Sequence, residues 1–243
     1  MIPRFFCPPP LAAGTDLALP SGAAHHAAQV LRLRVGDAVT LFDGEGGECS
    51  AQVAHVTKRA VSVRVLERRA VERESPLRIT LVQSLLAAER MDYAIQKAVE
   101  LGASAIAPVA AARSVTRLEG ARAQRRVEHW RQIVVASCEQ CGRNRLPYVH
   151  PPCELAEWLL RPSESALRLL VSPQAPQSLS DLSSPSGPIE LLVGPEGGLA
   201  TDEEAALLTK GFRAVRLGPR ILRAETAGPA MLAAANALWG DWR

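Results

Sequence analysis

No stretch of this sequence approaches the roughly 18 apolar residues that a membrane-spanning helix needs. Its opening, MIPRFFCPPPLAAGTD, is broken by prolines where a secretion signal needs an unbroken apolar core. Both absences lead us to expect a cytoplasmic protein with no membrane partner. Cysteine is scarce and odd in number, the five being Cys7, Cys49, Cys138, Cys141 and Cys153. A chain of 243 residues does not depend on disulfide staples, so free thiols in a reducing compartment are expected. Cys138 and Cys141 form a C-x-x-C pair, but no second Cys or His pair stands at metal spacing, and no metal is expected. Three catalytic signatures are also missing: the phosphate loop G-x-x-x-x-G-K-[ST], the dinucleotide loop G-x-G-x-x-G and the hydrolase elbow G-x-S-x-G. Charge of one sign is not in large excess either, the net value being +3. By itself that does not point to nucleic acid.

What is present organises into two parts. Up to residue 72, AVTLFDG, ECSAQVAHVT and AVSVRVLERR read as short strands, with Asp43-Gly44 and Gly46-Gly47 marking a tight turn. This predicts a small β-barrel or sandwich, preceded by one helical stretch, AAHHAAQVLRL. Arg4, Arg32, Arg34, Lys58, Arg59 and Arg64 give the module a basic side. From Leu77 onward apolar runs alternate with amphipathic helices, the pattern of a parallel α/β sheet covered on both faces. LRITLVQSLL, SAIAPV, ALRLLVSP, IELLVG and FRAVRLG are its strands, and ERMDYAIQKAVELG is a helix closed by Gly102. A long helix over about residues 121–141 carries Val127, Trp130, Val134, Cys138 and Cys141 as an apolar stripe, in which both thiols are expected to be inert. Residues 174–187 read as a surface loop. Between Ala110 and Pro147 eight arginines stand against three glutamates, a candidate anion-binding face or a plain solvated surface.

LLVGPEGGLATDEEAALL, residues 191–208, reads as a strand, a glycine-rich turn and a helix opened by a Thr201–Glu204 capping box. Glu196, Asp202, Glu203 and Glu204 oppose a phosphate there, so a neutral or cationic ligand fits better. RLGPRILRAETAGPA repeats the arrangement, with Gly218-Pro219 after a strand and Pro229 in the first turn of a helix starting around Glu225–Thr226. If the two strands are neighbours, both loops wall one pocket at the carboxyl edge of the sheet, with Arg220, Arg223 and Glu225 at its mouth. Gly-Pro turns also serve as plain punctuation, so this remains an expectation.

LLVGPEGGLATDE, LGPRILRAETA, ASCEQCGRNRLP, IQKAVELG, RFF and VLRLRVGDAVTLFDG occur in the order found in the RsmE-type family. These are the small-subunit (16S) ribosomal RNA uridine N3-methyltransferases of the SPOUT superfamily, and the likeness spans nearly the whole chain. The resemblance implies a PUA-like β-barrel RNA-binding domain over 1–72 and a SPOUT methyltransferase domain over 73–243 with a carboxyl-terminal trefoil knot. It also implies a homodimer, and small-subunit ribosomal RNA, within an assembled subunit, as partner. S-adenosyl-L-methionine would sit against Leu170, Val193, Gly194, Pro195, Glu196, Gly197 and Gly198 on one side. Leu217, Gly218, Ile221, Leu222 and Arg223 would face it. Arg223, Glu225 and Arg220 are the expected catalytic residues, with Glu196 as the alternative proton acceptor, and Arg4, Arg32 and Arg34 are expected to bind RNA. Alternatives left open are methylation of transfer RNA or of a ribose 2′-hydroxyl, a non-catalytic RNA-binding assembly factor and, weakest, a nucleotide-dependent hydrolase.

Overall fold

The structure, a computed structural model, describes residues 2–58 and 60–242, so Arg59 of the expected basic side lies outside the described residues. The chain forms two compact units. One comprises Met1–Glu74 together with Val135–Leu146, the other Ser75–Val134 with Pro147–Arg243.

The first unit is built on a five-stranded mixed sheet of order β1-β3-β4-β5-β2. Its strands are β1 (Arg4–Phe6), β2 (Asp16–Ala18), β3 (Ala38–Phe42), β4 (Glu48–Val56) and β5 (Val61–Arg69). β1 runs parallel to β3, and the remaining pairs are antiparallel. Alternation buries Val39 and Leu41 of β3, Cys49, Ala51 and Val53 of β4, and Val61, Val63 and Val65 of β5 in one core. The expected helix is shorter than its pattern: α1 (Ser21–His25) passes into a π-helical turn, His26–Val30, and Arg32 then takes φ +54°. That left-handed residue ends the helical path, which is why LRL continues as loop.

Residues 135–146 belong with this unit because their polar groups are satisfied there. Arg143, 5% exposed, ion-pairs with Glu74, and Arg145 with Glu72 at 3.2 Å. Asn144, fully buried, donates to the carbonyl of Val71 at 2.6 Å and accepts from Arg4 at 2.6 Å. Arg4 also pairs with Glu48 at 2.7 Å, and Arg73 reaches the same carboxylate oxygen at 2.9 Å. Burial opposes the charge of Glu48, yet hydrogen bonds from Arg73 and Arg4 outweigh it and hold the carboxyl down at about 2.

The second unit carries an eight-stranded sheet of order β11-β13-β10-β12-β6-β7-β8, with β9 also paired to β7. Its strands are β6 (Ile79–Ser84), β7 (Ala105–Ala110), β8 (Tyr148–Val149), β9 (Cys153–Glu154), β10 (Leu167–Val171), β11 (Gln177–Ser178), β12 (Ile189–Val193) and β13 (Arg213–Arg216). Every pairing is parallel. All five residues of β12 are buried, as expected of a central strand covered on both faces. One face packs Val82, Leu170 and Leu192 beneath Leu155, Leu159, Leu207 and Phe212. The other carries α2 (Ala88–Glu100), packed on the final helix α6 (Ala224–Trp239). The remaining helices are α3 (Gly120–Cys141), α4 (Leu155–Leu160) and α5 (Thr201–Thr209). α2 buries Met91, Ala94, Ile95, Ala98 and Val99 and ends at Gly102, φ +83°, as its spacing predicts.

Several expectations are corrected. β12 and β13 are not neighbours, since β10 lies between them; the two Gly-Pro loops still leave the same edge because all three strands are parallel. The α5 cap is shifted by one residue. Ala200 is the N-cap, so it is the Glu203 carboxylate that accepts the Ala200 N–H, at 2.9 Å, and the Ala112 N–H, at 2.8 Å. α6 starts at Ala224, which places Pro229 beyond the first turn among the buried residues Ala227 and Gly228. Residues 174–187 are anchored by buried Ala175 and Leu179 and include β11 at the sheet edge. The five cysteines are free, and burial pushes the Cys138 thiol, inside α3, up to about 12.

Candidate active site

Parallel pairing brings the carboxyl ends of β10, β12 and β13 together, and a cavity of about 480 Å³ opens there, within the range of small-ligand sites. β10 contributes Leu170 and Val171, followed by Ser172 and Pro173. β12 contributes Val193, and the loop after it Gly194, Pro195, Glu196, Gly198 and Leu199. Beyond β13, Leu217, Arg220, Ile221, Leu222 and Arg223 face them, and the first turn of α6 supplies Ala224, Glu225 and Ala227.

The glycine-rich loop is folded back by a Gly198 N–H to Pro195 carbonyl bond of 2.9 Å, with Gly198 at φ +70°. This conformation favours glycine. Gly197 does not line the cavity: its Cα faces Arg113, and a Cβ there would lie 3.3 Å from the Arg113 Cβ. Arg113 in turn donates to the carbonyls of Gly197 and Leu199, both at 3.2 Å, and braces the loop. Gly218, φ +67°, supplies the turn before Arg220 and is likewise not a wall. The other expected donor-side residues, together with Arg220, Arg223 and Glu225, all border the one cavity.

The charged groups at its rim are unequally partnered. Arg220 and Arg223 are exposed and make no ion pair among the described residues. Glu225 has a side chain only 12% exposed, and its Oε2 is buried without a hydrogen-bond partner. Arg90 at the start of α2 also borders the cavity, its Nη1 3.2 Å from Glu196 Oε1 and its Nε 3.8 Å from Glu225 Oε1. Sequence reasoning missed Arg90, because α2 announces itself through its apolar face and nothing local ties its first turn to loops more than a hundred residues away.

The arginine-rich segment is largely spoken for. Arg126 and Arg117 pair with Asp92 and Glu154, Arg143 and Arg145 with Glu74 and Glu72, Arg131 lies by Glu128, and Arg113 braces the loop. Arg122 and Arg125 are left exposed without an ion pair among the described residues. In the first unit Arg32 and Arg34 are exposed, whereas Arg4 is 10% exposed and bonded to Glu48, Asn144 and the Gly142 carbonyl. That placement leaves Arg4 little surface to offer a polynucleotide.

The lining combines apolar walls with charges of both signs, Arg90, Arg220 and Arg223 standing against Glu196, Glu204 and Glu225. Leu170, Val193, Leu217 and Leu222 offer apolar walls, the glycine loop offers backbone polar groups, and Glu196, Glu204 and Glu225 offer negative charge. Asp202, Glu203 and Glu204 in the first turn of α5 disfavour a polyphosphate. No group of three or more His, Cys, Asp or Glu residues suited to a metal ion occurs among the described residues.

Comparison with known proteins agrees with this chemistry. The family model of the RNA methyltransferase domain matches residues 73–236, and that of the RNA methyltransferase PUA domain matches 19–66. The chain is 30% identical to ribosomal RNA small subunit methyltransferase E of Buchnera aphidicola, over 99% of this chain and 98% of that protein. Its fold matches the ribosomal RNA small subunit methyltransferase E of Neisseria gonorrhoeae bound to S-adenosyl methionine, with TM-score 0.93, 41% identity and both chains covered completely. A Legionella pneumophila methyltransferase in complex with the same cofactor matches with TM-score 0.95 and 34% identity over 99% of each chain. This chain is a methyltransferase and belongs to the ribosomal RNA small subunit methyltransferase E family.

Proposed function

We propose that the protein methylates N3 of a uridine in 16S ribosomal RNA with S-adenosylmethionine as donor. The observation that carries this reading is the cavity itself, where a buried, unpartnered carboxylate oxygen of Glu225 lies among residues that also include the unpaired guanidinium groups of Arg220 and Arg223. The relatives' names and bound cofactor support the substrate and donor classes. Gly194, Pro195, Glu196 and Gly198 together with Leu217, Ile221, Leu222 and the β10 end at Leu170 would hold the donor. When bound, it supplies an electrophilic methyl on a sulfonium centre.

Uridine N3 carries a proton and becomes a nucleophile only when that proton leaves. Glu225 Oε2 accepts it. Arg223 stabilises the negative charge that spreads onto the flanking carbonyl oxygens of the base, and Arg220 holds a neighbouring phosphate. Exposed Arg32 and Arg34 of the first unit position the RNA.

The working form is a homodimer acting on an assembled small subunit in the cytoplasm; exposed Leu238 on α6 and Trp242 beyond it support a covered carboxyl-terminal face. The trefoil threading belongs to the same reading.

The test is methyl transfer from labelled S-adenosylmethionine to small subunits lacking the modification, with the nucleoside identified by mass spectrometry. N3-methyluridine is the expected product. Donor binding without transfer to that RNA would redirect the search to transfer RNA, ribose methylation or a binding-only role. Arg223→Ala should abolish turnover while largely sparing donor binding, and retained activity would remove its catalytic role.

A further inference from the structure

Two carboxylates on two separate segments share one cation. Glu196 sits on the loop after β12 and Glu225 on the first turn of α6, and Arg90 of α2 lies against both, at 3.2 and 3.8 Å. Arg220 and Arg223 pair with neither, and among the described residues Arg90 is the cation in contact with both carboxylates. Its contacts also separate the carboxylates by role. The shorter contact is a hydrogen bond that engages Glu196. The longer one steadies Glu225 through Oε1 and leaves Oε2 buried and unpartnered.

The charged residues bordering the cavity are Arg90, Arg220 and Arg223 against Glu196, Glu204 and Glu225, three of each sign. Removing Arg90 therefore leaves one excess negative charge. The donor carries a sulfonium, an ammonium and a carboxylate, net one positive charge. The product S-adenosylhomocysteine has lost the sulfonium and is net neutral. An uncompensated negative charge attracts the first and is nearly indifferent to the second.

We infer that Arg90 is a positioning residue: it holds Glu225 ready to accept the proton, occupies Glu196, and sets the cavity charge that governs preference between cationic donor and neutral product. This rests on the methyltransferase reading above and deepens it at the same site.

The experiment uses the full chain as Arg90→Gln, Arg90→Lys, Glu225→Gln and the Arg90→Gln/Glu225→Gln double variant. Calorimetric affinities for S-adenosylmethionine and S-adenosylhomocysteine are set beside single-turnover methyl transfer to small subunits. In R90Q the product-to-donor ratio of Kd values should rise roughly three- to tenfold, while turnover falls on the order of a hundredfold. R90K should restore the affinity ratio and not the rate, because an ammonium lacks the planar fork that reaches two carboxylates. In the E225Q background, R90Q should slow the residual rate no further.

Equal loss of affinity for donor and product in R90Q, with the same loss in R90K, would make Arg90 a structural prop and overturn the inference. Undiminished slowing in the double variant would overturn its action through Glu225. Full turnover by E225Q would instead overturn the assignment of the proton acceptor, and the affinity ratio would still decide the charge role of Arg90.

Discussion

Glu48 offers a perturbation whose size follows from its surroundings. Its carboxylate, 13% exposed, accepts from Arg4 and Arg73, and Asn144 Nδ2 lies 3.5 Å away. The folded-state value of about 2 lies below the ordinary 4.5, a difference of about 3 kcal/mol at neutral pH. Arg73 is 45% exposed, and solvent screening of its share brings the figure to about 2 kcal/mol. The shift is downward, so this stability is fully present above about pH 4.5 and drains away as pH falls through about 2. Glu48→Gln should therefore destabilise the first unit by about 2 kcal/mol at pH 7, and by less than about 1 kcal/mol near pH 3. The other carboxylates titrate in both proteins and cancel in the difference. Trp130, Trp158, Trp239 and Trp242 all belong to the second unit, so fluorescence does not report on the first. Hydrogen exchange of peptides from β4 and β5, corrected for intrinsic rates, does. The opening population should rise about thirtyfold at pH 7. An equal gap between the two proteins at pH 7 and pH 3 would refute the electrostatic origin, and no gap at pH 7 would refute the contribution altogether.

Three further outcomes are expected. Gly228→Ala places a Cβ 3.2 Å from Leu81 Cδ1 and 3.3 Å from Gln83 Oε1, so thermal melting should show a net loss of about 1–2 kcal/mol, despite alanine's better helix propensity. Arg168→Ala removes the cation 2.7 Å from Glu190, whose side chain is 4% exposed. The stranded charge should cost about 3–5 kcal/mol in denaturant melts; a loss under 1 kcal/mol would mean that Trp158 and Ser163 hold Glu190 without it. Charge reversal at exposed Arg32 and Arg34 should weaken RNA binding at least about tenfold and make its salt dependence shallower, with donor affinity unchanged in calorimetry.

Elements bounded by local signals were legible in the sequence. α2 follows from its apolar spacing and Gly102, and the two cavity loops from Gly-Pro steps directly after strands such as β12. Strand order was not, because parallel strands are joined by crossovers whose span no local pattern records; β10 between β12 and β13 is the case in point. The α5 cap slipped by one residue because Thr201 is the better capping side chain, while the structure places Ala200 at that position and recruits Glu203. Arg4 and Arg90 were illegible in their actual settings for one reason. A guanidinium declares its charge in the sequence and not its partner, and these partners lie at Asn144, Glu196 and Glu225.

The strap of residues 135–146 bears on how this protein can be cut and recombined. A fragment ending at Glu74 would strand Glu74 without Arg143 and Arg4 without Asn144, and Val71 would keep a bare carbonyl. The first unit is thus not a cassette. Grafting it between relatives requires moving two stretches of chain together, and a chimera that swaps only the amino-terminal stretch should be soluble only when the donor and recipient strap sequences agree.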